Sequence, residues 1–428
     1  MSGVTVGAVA GGSAAVRRRG CEISWRVKVR ARLAAVGVAL TCLALPVAVA
    51  TPAAADPGTF VYVVGNIPGV GFGVSQVDTA TNQPTTNNFE ATTPTDVAVS
   101  PDGRRIYVSQ GTNVVSVWDA TADPPTLVNT IGLTGLPESL AVSPDGRYVY
   151  TANTGTSTVS VIDTTDSSVT DIVLSGTPRR LAVSPNGRYV YTANGLSGTV
   201  SVIDTTDNSV TDITYVDANV LSVAVGASGT RLYVGIGTQL SSTDTVSVVD
   251  TATNTEVDSI DLAGGDAFPH ALVVSADGER LYTANLGTIN VSVIDTATNT
   301  VANTIGLTTA PADVAITPDD TRVYTTDTNT NPGTFTAIDT LTETVIGIFP
   351  TNARFPSSMA VAAVPGTATA QCPPGPGTAL TGGGFEITGP FPNYFNSKPV
   401  VNDTWQISGT NPTPQTNTLT SQAVCGTG

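Results

Sequence analysis

Short apolar segments alternate with turn-forming residues along most of the chain. The segments are rich in valine, isoleucine, threonine and tyrosine, which favour strands, and no apolar repeat of about 3.6 residues extends beyond a turn or two. The turns contain Pro-Asn-Gly, as in 184–187, or begin at an aspartate, as in 204–207. We expect such an aspartate to have a structural role, with its carboxylate accepting backbone N–H groups of the turn. This pattern predicts an all-β protein. The four strands expected in one unit are Leu181–Val183, Tyr189–Thr192, Thr199–Ile203 and Val210–Ile213.

The unit is repeated seven times. Residues 140–169 return almost unchanged at 181–210 and more loosely at 272–301. The mean spacing of the marker aspartates is 43.5 residues, close to the ~40–45 of a four-stranded propeller blade, so we predict a seven-bladed β-propeller. The marker aspartates are Asp78, Asp119, Asp163, Asp204, Asp250, Asp295 and Asp339. The marker tyrosines are Tyr62, Tyr107, Tyr150, Tyr191, Tyr233, Tyr282 and Tyr324.

The two ends of the repeat array are complementary. The first tyrosine segment, near residue 61, precedes any inner strand, whereas residues 359–361 supply an inner strand after the seventh aspartate. We therefore expect the ring to close by pairing this last strand with the first segment, which removes exposed sheet edges.

The repeated motifs resemble a known family. Tyr-Val-Tyr-Thr-Ala-Asn at 189–194 and Val-Ser-Val-Ile-Asp-Thr at 200–205 resemble the YVTN-type β-propeller repeat of secreted and cell-surface bacterial and archaeal proteins, over roughly residues 60–365. Related propellers include lactonase-like enzymes and quinoprotein-like domains, so the resemblance implies a fold and no single activity.

The first 55 residues have the pattern of a secretory signal peptide. Seven basic residues precede residue 33, an apolar run covers 33–50, and a small-residue site ends at Ala55. We expect cleavage after Ala55, no membrane span in the mature chain, and a secreted or cell-surface location. An uncleaved membrane anchor is the competing interpretation.

The predicted domains are the signal peptide at 1–55, the propeller at 56–365, and a linker with a small β module at 366–428. Removing the leader leaves Cys372 and Cys425, which we expect to form a disulfide in an oxidising compartment. The run that opens at Cys372 resembles a cysteine-bracketed module appended to secreted actinobacterial proteins.

The charge distribution excludes several classes of partner. Beyond Arg32 the chain has 11 basic and 33 acidic residues, a net charge of −22. Nucleic-acid binding requires clustered positive charge and is therefore not expected. We also expect the protein to be a monomer. The single histidine, His270, excludes metal or catalytic schemes that need two histidines.

Residues that differ between blades mark the candidate binding site. A proline recurs before the inner strands, and the residues after it are expected to surround one mouth of the central channel, where they vary while the framework repeats. Mutually paired or solvated surface residues are the alternative interpretation. The candidates are Asp96, Glu138, Arg179, Arg180, Asn219, His270 and Asp313.

Three asparagines end their Thr-Ala-Asn segments on the same face. The lactonase-like resemblance implies that Glu138 with these asparagines could hold Ca²⁺, although repetition of the amide in several blades favours a structural contact. We expect no cofactor on balance. The asparagines are Asn153, Asn194 and Asn285.

Three functional hypotheses follow. The first is a non-catalytic scaffold that binds a protein or glycan of the cell envelope through the channel mouth. The second is a lactonase-like hydrolase with a divalent cation at that mouth, and the third is a cofactor-bearing redox propeller, which the scarcity of histidine disfavours.

Overall fold

The computed structural model describes residues 58–238, 244–262, 264–328 and 330–364, together with the backbone of five strands nearer the C-terminus. The described residues are all-β and contain no helix, and none of them forms a helix that could cross a membrane. The signal-peptide prediction falls on residues 1–55, outside the described part.

Seven sheets form the ring, and 29 strands contribute to it. Blades 1 and 2 contain β1 (Thr59–Ile67), β2 (Gly71–Asp78), β3 (Gln83–Pro84), β4 (Phe89–Glu90), β5 (Pro94–Val99), β6 (Arg105–Gln110), β7 (Val114–Asp119) and β8 (Thr126–Gly132). Blades 3 and 4 contain β9 (Pro137–Val142), β10 (Tyr148–Asn153), β11 (Thr158–Asp163), β12 (Val169–Val173), β13 (Arg180–Val183), β14 (Tyr189–Ala193), β15 (Thr199–Asp204) and β16 (Ser209–Thr214).

Blades 5 to 7 follow the same order. Their strands are β17 (Ala218–Val225), β18 (Arg231–Thr238), β19 (Thr245–Asp250), β20 (Thr255–Asp261), β21 (Pro269–Val274), β22 (Arg280–Asn285), β23 (Asn290–Asp295), β24 (Thr300–Gly306), β25 (Pro311–Ile316), β26 (Arg322–Asp327), β27 (Thr334–Asp339) and β28 (Thr344–Pro350). The final strand of the ring is β29 (Arg354–Ala363).

Each of blades 2 to 7 is a four-stranded antiparallel meander whose inner strand comes first in the chain. The registers fix two faces. In blade 4, Arg180 lies opposite Ala193 at one end, and Tyr189 lies opposite Asp204 at the other. We call the first end, where inner strands begin, the mouth face, and the second the turn face.

The ring closes as the sequence predicts. β29 pairs antiparallel with β1, with Val361 opposite Val61 and Ala363 opposite Thr59. Blade 1 therefore combines the last strand of the ring with the first, and its outer strand is split into the short β3 and β4. The seven-bladed propeller and its closure are confirmed.

Seven apolar clusters separate the blades, one at each interface. The cluster between blades 7 and 1 joins Tyr324 and Phe335 to Val61 and Met359, and so completes the circle. All seven marker tyrosines are buried at these interfaces, none more than 4% exposed. Burial on both faces of each sheet explains why the strands carry apolar or small residues at successive positions.

The marker aspartates order the turn face. Every one of the seven accepts a backbone N–H two or three residues later, as Asp163 does from Thr165 at 2.9 Å. Five also pair with an arginine of the same blade, including Arg147–Asp163 at 3.3 Å and Arg188–Asp204 at 3.0 Å. Their structural role, predicted from the turn pattern, is confirmed.

Two carboxylates of neighbouring blades hold the closing strand. Asp313 of blade 7 accepts the backbone N–H of Met359 at 2.9 Å and the Ser358 hydroxyl at 3.0 Å. Ser358 also forms a short hydrogen bond with Asp96 of blade 2, which accepts the Leu140 N–H of blade 3 at 2.9 Å. We call Asp96, Ser358 and Asp313 the closure clasp, because they tie blades 7, 1, 2 and 3 together.

Five further strands follow the ring. β30 (Ala368–Gln371), β33 (Thr404–Ser408) and β32 (Asn396–Val400) form one sheet, and β31 (Thr378–Thr388) pairs with β34 (Thr418–Thr427). Cys372 lies outside the described residues, and Cys425 is described only as backbone within β34. The disulfide and the domain boundaries stay predictions.

Replacing Ser358 tests the clasp. We expect Ser358→Ala to lower the free energy of unfolding by about 1–3 kcal/mol, since it removes the shared donor from two buried carboxylates. Urea denaturation followed by tryptophan fluorescence measures the change. The matched control is Ser357→Ala, which removes an exposed hydroxyl and should stay within about 0.5 kcal/mol of the parent. Equal losses in the two variants would contradict the clasp.

Candidate functional site

The residues predicted to surround the channel mouth lie where the inner strands begin. Asp96, Glu138, Arg180, Asn219, His270 and Asp313 belong to the inner strands of blades 2 to 7, and Arg179 directly precedes β13. A cavity of about 410 Å³ opens on the mouth face beside them. The structure brings five of the seven into its lining, which includes Glu138, Arg179, Arg180, Asn219, His270, Leu196, Leu221, Phe268, Ser357 and Ser358.

Asp96 and Asp313 differ from the exposed positions that the sequence suggested. Both are only 7% exposed, because their carboxylates turn inward to form the clasp. Burial, followed by the negative charge of Asp313, raises the pKa of Asp96.

Arg180 neutralises the clasp from the channel side. Its guanidinium lies 3.6 Å from the Asp313 carboxylate and donates to the Ala312 carbonyl at 3.4 Å. The His270 Nδ1 lies 2.6 Å from the same carbonyl oxygen, which can only accept. We therefore assign the proton to Nδ1, which leaves the lone pair on Nε2.

His270 is neutral over a wide pH range. Burial is the main cause, and the positive charge of Arg180 adds to it, so that the pKa falls from 6.5 to about 4. Arg180 is 3.2 Å from Nδ1 through its Nη2, close enough to oppose a second proton on the ring. The mouth therefore presents two arginines and an uncharged imidazole.

Arg179 is the accessible cation of the site. It donates from Nη1 to Glu138 at 3.3 Å, and the two side chains are 54% and 40% exposed. Its stem packs against Gly195, where an added Cβ would lie 3.1 Å from the arginine Cδ and Nε. An exposed pair of this kind contributes at most about 1 kcal/mol, so the guanidinium can exchange partners.

The three asparagines are enclosed within their own blades. Asn194 accepts from Thr192 at 2.7 Å and donates to Thr199 and Ser201 at 2.9 and 2.8 Å. Asn153 and Asn285 make the equivalent contacts in blades 3 and 6, and all three are fully buried. Their amides link strands within a blade and do not lie at the channel mouth.

This geometry does not fit calcium binding by Glu138 with the asparagines. Glu138 pairs with Arg179, while the amides are satisfied inside three different blades. Within the described residues, no group of three or more histidine, cysteine, aspartate or glutamate side chains could hold a metal ion.

Two aromatic residues near the mouth were not identified from the sequence. Phe268 and Phe355, 37% and 53% exposed, each precede one of the recurring prolines and have φ of 53° and 52°. A bulky residue in the left-handed region costs on the order of 1–3 kcal/mol, and proline restricts its predecessor further. The only signal in the sequence was phenylalanine before proline at two of the six recurring positions.

A larger cavity of about 770 Å³ lies between blades 2 and 3 at the turn face. Its charged groups are already bound: Asp102 accepts from Ser100 at 2.5 Å, Asp145 from Ser143 at 2.6 Å, and Arg105 pairs with Asp119 at 3.0 Å. These contacts belong to the repeated framework. The mouth, where the blades differ, is the better candidate despite its smaller volume.

Comparison with known proteins agrees with the fold. The family model described as "Lactonase, 7-bladed beta-propeller" matches residues 68–173, about a quarter of the chain. No curated protein sequence matches.

Solved structures give a broader likeness. A protein of unknown function from Desulfotomaculum acetoxidans aligns with a TM-score of 0.60 and 16% identity, over 71% of this chain and 98% of its own. A protein from Bacteroides uniformis, named as a candidate 6-phosphogluconolactonase, aligns with a TM-score of 0.59 and 18% identity, over 71% and 100%. Hydrazine synthase of Kuenenia stuttgartiensis aligns with a TM-score of 0.55 and 20% identity, over 66% of this chain and 90% of its own. At these identities the likeness concerns the fold alone.

The protonation of His270 predicts a pH-dependent stability. The unfolded chain takes up a proton near pH 6.5 and the folded chain near pH 4, so stability falls as pH decreases through this window, by about 3 kcal/mol in all. The raised pKa of Asp96 has the opposite effect, because it makes the folded chain more stable as pH decreases. We expect His270→Gln to remove the histidine contribution to the pH dependence of stability and to leave the contribution of Asp96 unchanged.

Urea titrations of parent and variant at pH 7 and about pH 4.5 isolate the effect, because the Asp96 contribution cancels in the difference. The free energy of unfolding of the variant should rise relative to that of the parent when the pH is lowered from 7 to about 4.5. An unchanged difference between the two pH values would contradict a buried, neutral His270.

Proposed function

We propose that the protein is a secreted or cell-surface propeller that binds a component of the cell envelope through its mouth face, without catalysing a reaction. The variable residues of the blades converge there on one cavity, while the opposite face repeats the same aspartate turns.

The observation that carries this proposal is the distribution of exposed apolar side chains. Nine of the fifteen large exposed ones occur in loops of the mouth face or in the last two strand residues at that face, against three, Leu127, Leu341 and Val345, at the corresponding places of the turn face. Concentrated apolar surface bordered by polar groups is typical of interaction sites. The nine are Val70, Phe72, Leu136, Val173, Leu196, Val216, Phe268, Ile289 and Phe355.

The backbone supports the same conclusion. Phe268 and Phe355 are held in unfavourable conformations on the mouth face, and both rings are exposed. Strain of this kind persists where the surrounding structure imposes it, and it is concentrated at functional sites. Exposed aromatic rings are also common anchors in binding interfaces.

The titratable groups favour binding over catalysis. A general base works best with a pKa near the working pH, and His270, at about 4, is a weak base at neutral pH. Asp96 and Asp313 are enclosed in the clasp and bound by backbone N–H groups. The mouth thus has groups suited to recognition and none tuned for proton transfer.

Replacing the aromatic rings tests the binding proposal. We expect the double variant Phe268→Ala and Phe355→Ala to bind isolated cell-envelope fragments at least about tenfold more weakly than the parent, through loss of two anchors. Cosedimentation of the full chain with the fragments measures the affinity. Leu341→Ala removes an exposed apolar side chain from the opposite face and should bind as the parent does. Equal binding by all three proteins would reject the mouth face as the recognition surface.

A lactonase-like hydrolase is the second candidate. The family model match at 68–173 favours it, and the Nε2 lone pair of His270 beside Arg180 gives a base and a cation at one cavity. Water attack on a ring ester would need the base to take its proton and the arginine to stabilise the oxyanion.

Hydrolysis of a six-membered sugar lactone distinguishes the two candidates. The binding proposal predicts no acid release above the spontaneous rate when the full chain is added at neutral pH, measured by pH-stat. Enzyme-dependent release that disappears in His270→Gln and survives in Arg188→Gln on the turn face would establish the hydrolase and overturn the scaffold.

A further inference from the structure

The channel mouth holds two of the ten arginines of an acidic propeller. Residues 58–364 contain ten arginines, no lysine, and 30 acidic residues, a net charge of −20. Five of the arginines are bound by the aspartates of the turn face. The charged side chains that line the mouth cavity are Arg179, Arg180 and Glu138. Arg180 is balanced by the buried Asp313, whereas Arg179 lies at the accessible surface beside Glu138.

Arg179 retains donors for a ligand. A guanidinium carries five N–H donors, and the contact with Glu138 uses only Nη1. Arg180, by contrast, is committed to Asp313 and Ala312. Because planar guanidinium groups bind carboxylates with two parallel hydrogen bonds, a carboxylate fits the free side of Arg179.

Blade 4 departs from its neighbours so that Arg179 can reach this position. Gly195 follows Asn194 where blades 3 and 6 have Thr154 and Leu286, and its missing side chain leaves room for the arginine stem. The next residue, Leu196, is 71% exposed and lines the same cavity. The site is therefore assembled by local changes in the repeat.

The rest of the lining suits a ring that carries hydroxyl groups. Phe268 and Leu196 offer apolar surface, and Asn219 and Ser357 offer an amide and a hydroxyl in the same cavity. At about 410 Å³ the cavity lies near the lower end of the range for small ligands. A peptide would instead need an extended groove or a free strand edge.

We propose that the channel mouth binds a sugar that carries a carboxylate, a uronate, with its carboxylate on Arg179 and its ring against Phe268 and Leu196. This inference rests on the proposed binding function and names the chemistry of the ligand. The uronate can be a free monosaccharide or a unit of an acidic polysaccharide, since both present the same carboxylate.

Calorimetric titration of the full chain tests the proposal, with glucuronate and glucose as one matched pair and trigalacturonate and its methyl ester as another. We expect binding of a uronate and about 10- to 100-fold weaker binding of its neutral counterpart, as for loss of a charged hydrogen-bonding group. Binding of glucuronate identifies a single sugar as sufficient, and binding of the trimer alone identifies a polysaccharide segment.

Arg179→Gln should lower the uronate affinity by about 10- to 100-fold and leave the weak affinity for the neutral sugar unchanged. Arg188→Gln is the matched control, because Arg188 is also 54% exposed and paired with one carboxylate, on the opposite face. It should bind as the parent does. Equal thermal stability of the two variants excludes misfolding as the cause.

Absence of uronate binding, or uronate binding that Arg179→Gln leaves intact, overturns this inference. Tighter binding of a glutamate-rich peptide at Arg179 would assign the site to an acidic protein instead and also overturns it. The envelope assay decides the proposed function separately. If the phenylalanine double variant loses envelope binding and the parent binds no uronate, the binding function is retained and the uronate proposal is rejected.

Discussion

The pairing of β29 with β1 is the interaction on which the rest of the structure depends. Without it, blade 1 lacks an inner strand and the clusters on both of its sides lose Met359 and Ala362. The closure clasp adds carboxylates from blades 7 and 2 to this strand through Ser358. Since Ser358 also lines the mouth cavity, the group that completes the ring is part of the floor of the site.

The electrostatics of the mouth follow from this arrangement. Two carboxylates are buried to hold the closing strand, and Arg180 compensates them from the channel side. Burial, together with the charge of this arginine, lowers the pKa of His270 and keeps it neutral, which makes the imidazole a polar recognition group and a poor base. Arg179, one residue earlier, is left to solvent and to Glu138. A structural requirement of the ring thus divides two adjacent arginines between stability and recognition.

Features with a repeating physical cause could be predicted from the sequence. The recurrence of strands and turns predicts seven blades, and the complementary ends of the array predict closure through residues 359–361. Turn chemistry predicts the structural role of aspartates such as Asp163. The side-chain directions of single residues could not be predicted in this way. Asp96 and Asp313 turn inward because donors on other blades are within reach, and Phe268 takes a positive φ that no propensity favours.

The points where the chain enters β1 and leaves β29 also determine how the propeller responds to force. Thr59 begins β1 opposite Ala363, where β29 ends, so the chain enters and leaves the ring at the turn face, away from the mouth. Tension between these two points would separate the antiparallel strands from one end, breaking their hydrogen bonds in succession instead of shearing them together. The first pairs to open would lie on the turn face, and the clasp at Ser358, near the mouth, would open among the last. A load applied through the chain termini would therefore reach the binding face only after most of β29 had been peeled from β1.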